Sequence, residues 1–149
     1  MVEKIIVMSY GHERWNETIS FAKQCSWRAG AFLAQKMKEN DFESNERVIA
    51  AIIDDDIVGF CTYANKDEMP DELDFTPFVG FVFVDEKCRG RRLSERLINM
   101  ACNCAREQGY KEIYIMSGEI GLYEKYGFTK IGDYRTIYGS VDQLFSKQL

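Results

Sequence analysis

Residues 78–84, Phe-Val-Gly-Phe-Val-Phe-Val, are apolar without a break, and no other stretch restricts the fold as strongly. A strand with one wet face alternates apolar and polar side chains. An unbroken run rich in valine and phenylalanine suits a strand covered on both faces. After it come a polar turn, 85–90, and the longest helical pattern in the chain. That pattern sets Leu93, Leu97, Ile98, Ala101 and Ala105 on one face and stops at Gly109. Ile113 to Met116 is another buried strand. Strand, helix and strand over 78–116 therefore read as a parallel unit.

The remaining segments fill in around it. Residues 3–9 read as a first strand, and 15–39 as two helices with a break near Ser26 to Gly30. Phe21, Cys25, Phe32, Leu33 and Met37 supply apolar spacings of three and four there. Residues 48–64 are two β-branched runs separated by Asp54-Asp55-Asp56, a hairpin signal. Residues 65–74 are acidic and contain Pro70, which predicts an exposed loop. Residues 121–128 read as a short helix ended by Gly127 at a left-handed C′ position. Thr129 to Tyr138 reads as the final strand, bulged at Gly132. The order predicts an α/β (α+β mixed) fold, with a mixed central sheet and helices on both faces. A chain of 149 residues without repeats or linkers is expected to be a single domain over 1–149.

Composition narrows the function classes. The formal net charge of -5 argues against a nucleic-acid partner, because duplex binding neutralises many phosphates with clustered Lys and Arg. No apolar run is long enough for a signal peptide or a membrane span, so no membrane partner is expected. Five cysteines in such a chain suggest reduced thiols and a cytoplasmic location. Cys102 and Cys104, two apart on a helix, point roughly 200° away from each other. With His12 the only histidine and no paired C-x-x-C, no metal is expected.

The stretch Cys88 to Leu97, C-R-G-R-R-L-S-E-R-L, holds four arginines at the start of the long helix. Taken alone it fits a solvated helix start, a nucleic-acid patch or a phosphate cradle. The cradle has a physical basis: the first amides of a helix lack internal partners and carry about half a positive charge. Gly90 would let the backbone approach an anion closely. Arg89, Arg91 and Arg92 would add attraction for polyanions.

Val84 to Ser94, V-D-E-K-C-R-G-R-R-L-S, resembles the acetyl-CoA pyrophosphate loop of the GNAT N-acetyltransferase superfamily, with Val84, Arg89 and Gly90 in register. Glu86 stands where proline is common, Cys88 where tyrosine is common, Arg92 at the second glycine and Ser94 at the terminal Gly/Ala. L-Y-E-K-Y-G-F, 122–128, resembles the segment that follows the family's fifth strand. V-I-A-A-I-I-D-D-D-I-V-G-F-C-T-Y-A, 48–64, resembles its central hairpin.

The resemblance implies a sheet splayed between the fourth and fifth strands, with acetyl-CoA as co-substrate in the gap. Val82, Phe83 and Val84 would meet the pantetheine through backbone. Arg89, Gly90, Arg91, Arg92, Leu93 and Ser94 would meet the pyrophosphate. Arg92 fits if its dihedrals are helical; if they are not, cofactor binding would be weakened. The implied reaction is acetyl transfer to an amine by direct attack in a ternary complex. Tyr123 would be the group that protonates the departing thiolate; read without the resemblance it is a packed aromatic beside Tyr126.

No carboxylate on the fourth strand offers itself as a base, and Glu119 fits a solvated loop as well as the gap. A route through Cys88 would lack a nearby histidine. The acidic loop would favour a small cationic amine, with a protein amine as the second acceptor class. Trp15, Trp27 and Phe32 are candidates for either the acceptor pocket or the core. A GNAT-like module that binds acyl-CoA with little or no catalysis is the competing function. Monomer and homodimer both remain open.

Overall fold

The computed structural model describes residues 2–67, 69–70 and 72–149. Its hairpin joins β2 (Arg47–Ile53) to β3 (Asp56–Ala64). Asp54 and Asp55 form the two-residue turn at φ 49° and 76°, the left-handed pair that suits the twist of the strands. β1 (Glu3–Met8) pairs with β2, and β4 (Phe78–Val84) with β3, all antiparallel. α1 (Trp15–Gln24) and α2 (Ala29–Lys38) come between β1 and β2 in the chain. α3 (Leu93–Glu107) links β4 to β5 (Glu112–Ser117), which runs parallel to β4.

Strand patterning sorts the side chains into two layers. Ile49, Ala51 and Ile53 join Leu93, Leu97, Ile98, Ala101 and Ala105 of α3 in one cluster. Val48, Ala50 and Ile52 join Trp15, Ala22, Leu33 and Met37 of α1 and α2 in the other. Helices therefore cover both faces, as the unbroken apolar run requires. α3 ends where Gly109 N–H donates to Arg106 O and Tyr110 N–H to Ala105 O, a Schellman closure. Among the described residues no helix is long and apolar enough to cross a membrane.

Three expectations need correction. Thr129 to Tyr138 is not the last strand: β6 (Thr129–Arg135) is followed by β7 (Val141–Gln148). Among the described residues the sheet order is β1-β2-β3-β4-β5-β7-β6, so β7 inserts between β5 and β6. The β6 irregularity does fall between Lys130 and Gly132. Phe32 is neither core nor cleft but 68% exposed on α2, while its neighbour Leu33 is buried. The acidic loop is not simply exposed. Met69 is buried, and with Leu73 and Phe75 it packs on Phe78, Met116 and Leu144. Glu68 and Asp71 of that loop lie outside the described residues.

Two features of β4 position the site. It pairs with β5 only at Phe78–Tyr114 and Val79–Ile115, so the strands part from Gly80 onward. On its other edge the register shifts between Phe60 and Thr62, so two residues of β4, Phe81 and Val82, oppose Cys61. This bulge gives Phe81 a φ of 49°. Alternation resumes one step out of phase, and Gly80, Phe81 and Phe83 all meet the α1/α2 side. Val79, Val82 and Val84 meet the α3 side.

Candidate active site

Where β4 and β5 part, a cleft of about 850 Å³ opens. Val82, Phe83 and Val84 line it, with Arg89, Gly90, Arg92, Leu93 and Ser94 at one end and Tyr123 on the β5 side. Arg91 is the one predicted residue outside the lining, and its guanidinium reaches Glu3 at 3.6 Å.

The arginine stretch divides its tasks. A short 3-10 turn, Glu86–Cys88, is capped by Asp85, whose carboxylate accepts from Lys87 N–H at 3.1 Å. Arg89 then folds back: its Nε donates to Val84 O at 3.0 Å and its guanidinium lies 5.8 Å from the Phe83 ring. Arg92 pairs with Glu95 at 3.2 Å, and Arg96 with Glu3 at 3.2 Å. The charges are thus largely met by carboxylates and a carbonyl.

α3 starts at Leu93 rather than near residue 91, because its N-cap Arg92 has φ 62° and ψ 23°. The first rung is Arg96 N–H to Arg92 O at 3.1 Å, so the amides of Leu93, Ser94 and Glu95 precede the ladder. Arg92 therefore adopts a glycine's conformation with a side chain attached. A non-glycine residue there costs about 1–2 kcal/mol, partly offset by the flexibility glycine would add to the unfolded chain. Arg92→Gly is expected to raise the melting temperature by about 2 °C. A lower melting temperature by scanning calorimetry would show that residue 92 is unstrained.

Tyr123 opens a second short 3-10 turn, Tyr123–Tyr126, in place of the helix expected over 121–128; Gly127 caps it at φ 91°. The Tyr123 ring is buried against Tyr126, Phe128 and Phe145. It is both a packed aromatic and a wall of the cleft. Burial pushes its phenol up to about 12, against a hydrogen bond with Ser117 that lowers it. Tyr126 crosses the cleft, its hydroxyl 2.9 Å from Ser94 Oγ, and so ties this turn to the first turn of α3. That bond joins residues 32 apart, beyond the reach of any local sequence pattern. Glu119 is exposed at the rim, its N–H on Ser117 Oγ at 3.0 Å; the Gln143 amide from β7 holds Ser117 O and Glu119 O.

On the opposite face, Trp27 lines the cleft, its ring parallel to Phe83 within 7° at 6.0 Å and edge-on to Phe81 at 6.2 Å. Trp15 is core, its Nε1 donating to Met37 O at 3.1 Å. Cys88 is half-buried in the lining.

The carboxylate that β4 lacks arrives from the acidic loop. Asp67 lines the cleft, and a Cβ on Gly80 would lie 3.6 Å from its Oδ2. The loop stem is held by Asn65 N–H to Glu46 Oε2 at 2.8 Å and Thr76 Oγ1 to Asn65 O at 2.8 Å. Met69, Leu73 and Phe75, set among acids, were the sequence signal that this loop docks.

A family model described as the acetyltransferase (GNAT) family matches residues 11–128. The chain belongs to that family. Solved structures agree with this GNAT architecture. Aminoglycoside 6'-acetyltransferase type Ii superposes with a TM-score of 0.74 at 18% identity, over 99% of this chain and 97% of that one. A GNAT family acetyltransferase from Elizabethkingia anophelis, solved with acetyl-CoA bound, gives 0.66 at 16% identity over 99% and 98%. An aminoglycoside 6'-N-acetyltransferase complexed with coenzyme A gives 0.68 at 15% identity over 96% of each chain. At these identities the likeness is one of fold. A comparison with curated proteins found no match.

Proposed function

We propose that this GNAT chain is an acetyl-CoA-dependent N-acetyltransferase, a single cytoplasmic domain that transfers acetyl directly to a bound amine. The observation that carries the reading is the parting of β4 from β5, with helix-start amides at one end and a protonated phenol on the wall. The residues fit the donor. Gly80–Val84 have no pairing partner on β5, which leaves a strand edge for pantetheine amides. The amides of Leu93 and Ser94, with open space over Gly90, suit a pyrophosphate.

When bound, the co-substrate supplies a thioester carbonyl as the acyl donor. An alkyl ammonium, with a pKa near 10.4 by analogy with lysine, first releases one proton to solvent. The amine nitrogen then bonds to the acetyl carbon as the carbon–sulfur bond breaks, and the second proton ends on sulfur. An amide of the β4 bulge polarises the carbonyl, and Tyr123 gives its hydroxyl hydrogen bond to the developing thiolate. Arg92 keeps the left-handed turn that a glycine would make, which supports donor binding in the transferase and in a binding-only module alike.

The test has two stages: a thermal shift with acetyl-CoA, then thiol release with an amine panel. A shift followed by amine-dependent release is expected. A shift with no release from any amine would instead favour an acyl-CoA-binding module.

A further inference from the structure

We propose that the acceptor is an arylalkyl monoamine, its ring seated against Phe81 and Trp27 and its ammonium at Asp67; this rests on the acetyltransferase reading above. The bulge is the origin of the pocket. A regular strand would set Phe81 and Phe83 on one face and Gly80 on the other. The extra residue instead places Gly80, Phe81 and Phe83 together on the α1/α2 side. Phe81 holds a φ of 49°, which is unusual for a bulky residue, and the result is an aromatic ring in the cleft.

Gly80, just before it in the chain, lets the backbone lie close to Thr62 Oγ1 and the Asp67 carboxylate, 3.0 and 3.6 Å from where a Cβ would stand. Trp27 closes the aromatic side, fixed in orientation by its parallel stack on Phe83. One carboxylate beside two aromatic walls is the chemistry that recognises a single cation carried on an apolar body.

A polycation would need more. Of the other carboxylates in the cleft, Glu86 accepts from Ser26 Oγ at 3.0 Å and Glu119 lies on the β5 side.

The test is thiol release from acetyl-CoA with 2-phenylethylamine, tryptamine, n-butylamine, spermidine and kanamycin. kcat/KM for the two aromatic amines is expected to exceed that for n-butylamine by about 10- to 100-fold. Phe81→Gly, which keeps a left-handed φ without strain, is expected to reduce that ratio to about threefold or less, the two amines being compared on the same variant. Asp67→Asn is expected to lower kcat/KM for 2-phenylethylamine about tenfold or more. Turnover of spermidine, kanamycin or n-butylamine equal to or better than that of the aromatic amines overturns this inference and leaves the transferase standing. No release from any of the five, despite a thermal shift with acetyl-CoA, overturns the transferase reading and the inference with it.

Discussion

Replacing Tyr123 with phenylalanine is expected to lower kcat about 100-fold, at the lower end for a positioned proton donor. KM for acetyl-CoA should stay within about threefold, because the ring and its contacts with Tyr126, Phe128 and Phe145 remain. The pH profile tests whether the phenol keeps its proton through the working range. Burial raises the Tyr123 phenol to about 12, so the neutral, hydrogen-bond-donating form persists through the whole neutral and mildly alkaline range. Its loss would begin only as pH approaches 12. The wild-type rate should therefore climb as the amine loses its proton, with no descending limb between pH 7 and 10. The same profile at lower amplitude is expected for Tyr123→Phe. A variant with full kcat would remove Tyr123 from the reaction, and Cys88→Ser would then become the variant to measure.

Gly90→Asp should weaken acetyl-CoA binding by about 100-fold. A carboxylate roughly 5 Å from a phosphate repels it by about 3 kcal/mol at an effective dielectric near 20. The change isolates charge from shape. Gly90 has φ 86° and nothing within 4 Å of a built Cβ, and Asp and Asn are the side chains that best accept such a conformation. Gly90→Asn is therefore the control, expected to cost less than about tenfold in affinity by calorimetric titration. Equal losses in the two variants would place the pyrophosphate elsewhere. The comparison is sharper than removing arginines, since Arg91, Arg92 and Arg96 already face Glu3 and Glu95 and their loss would disturb those pairs.

What the sequence disclosed follows from how each element earns its burial. The hairpin, β4 and α3 were legible because periodicity and turn residues agree, as in the aspartate turn and the Leu93–Ala105 face. β7 was not, because its buried residues Leu144 and Phe145 are adjacent, not alternating, and polar residues surround them. Its place between β5 and β6 depends on pairings distant in sequence. The bulge was hidden for the opposite reason: in a run that is apolar at every position, no alternation exists to be interrupted.

Within the site, the loop backbone was legible from Arg89 and Gly90. The acidic loop reads as favouring a cation, but which of its carboxylates meets Gly80, and that Tyr126 bonds Ser94, depend on contacts distant in sequence. The arginines misled in one respect, because a cluster of positive charge suggests ligand contact even where neighbouring carboxylates take it up.

Two ladder pairs join β4 to β5, so the sheet is two leaves that share a short ladder and the core on the α3 side. Ser94 and Tyr126 add a clasp on the α3 side, and the docked acidic loop spans the other side through Met69 and Phe75. A donor lying along the open seam would act as a missing strand and enlarge the cooperative unit. Ligand concentration then sets how firmly the two leaves move as one body. Departure of the product would require only that the seam relax, with neither leaf unfolding.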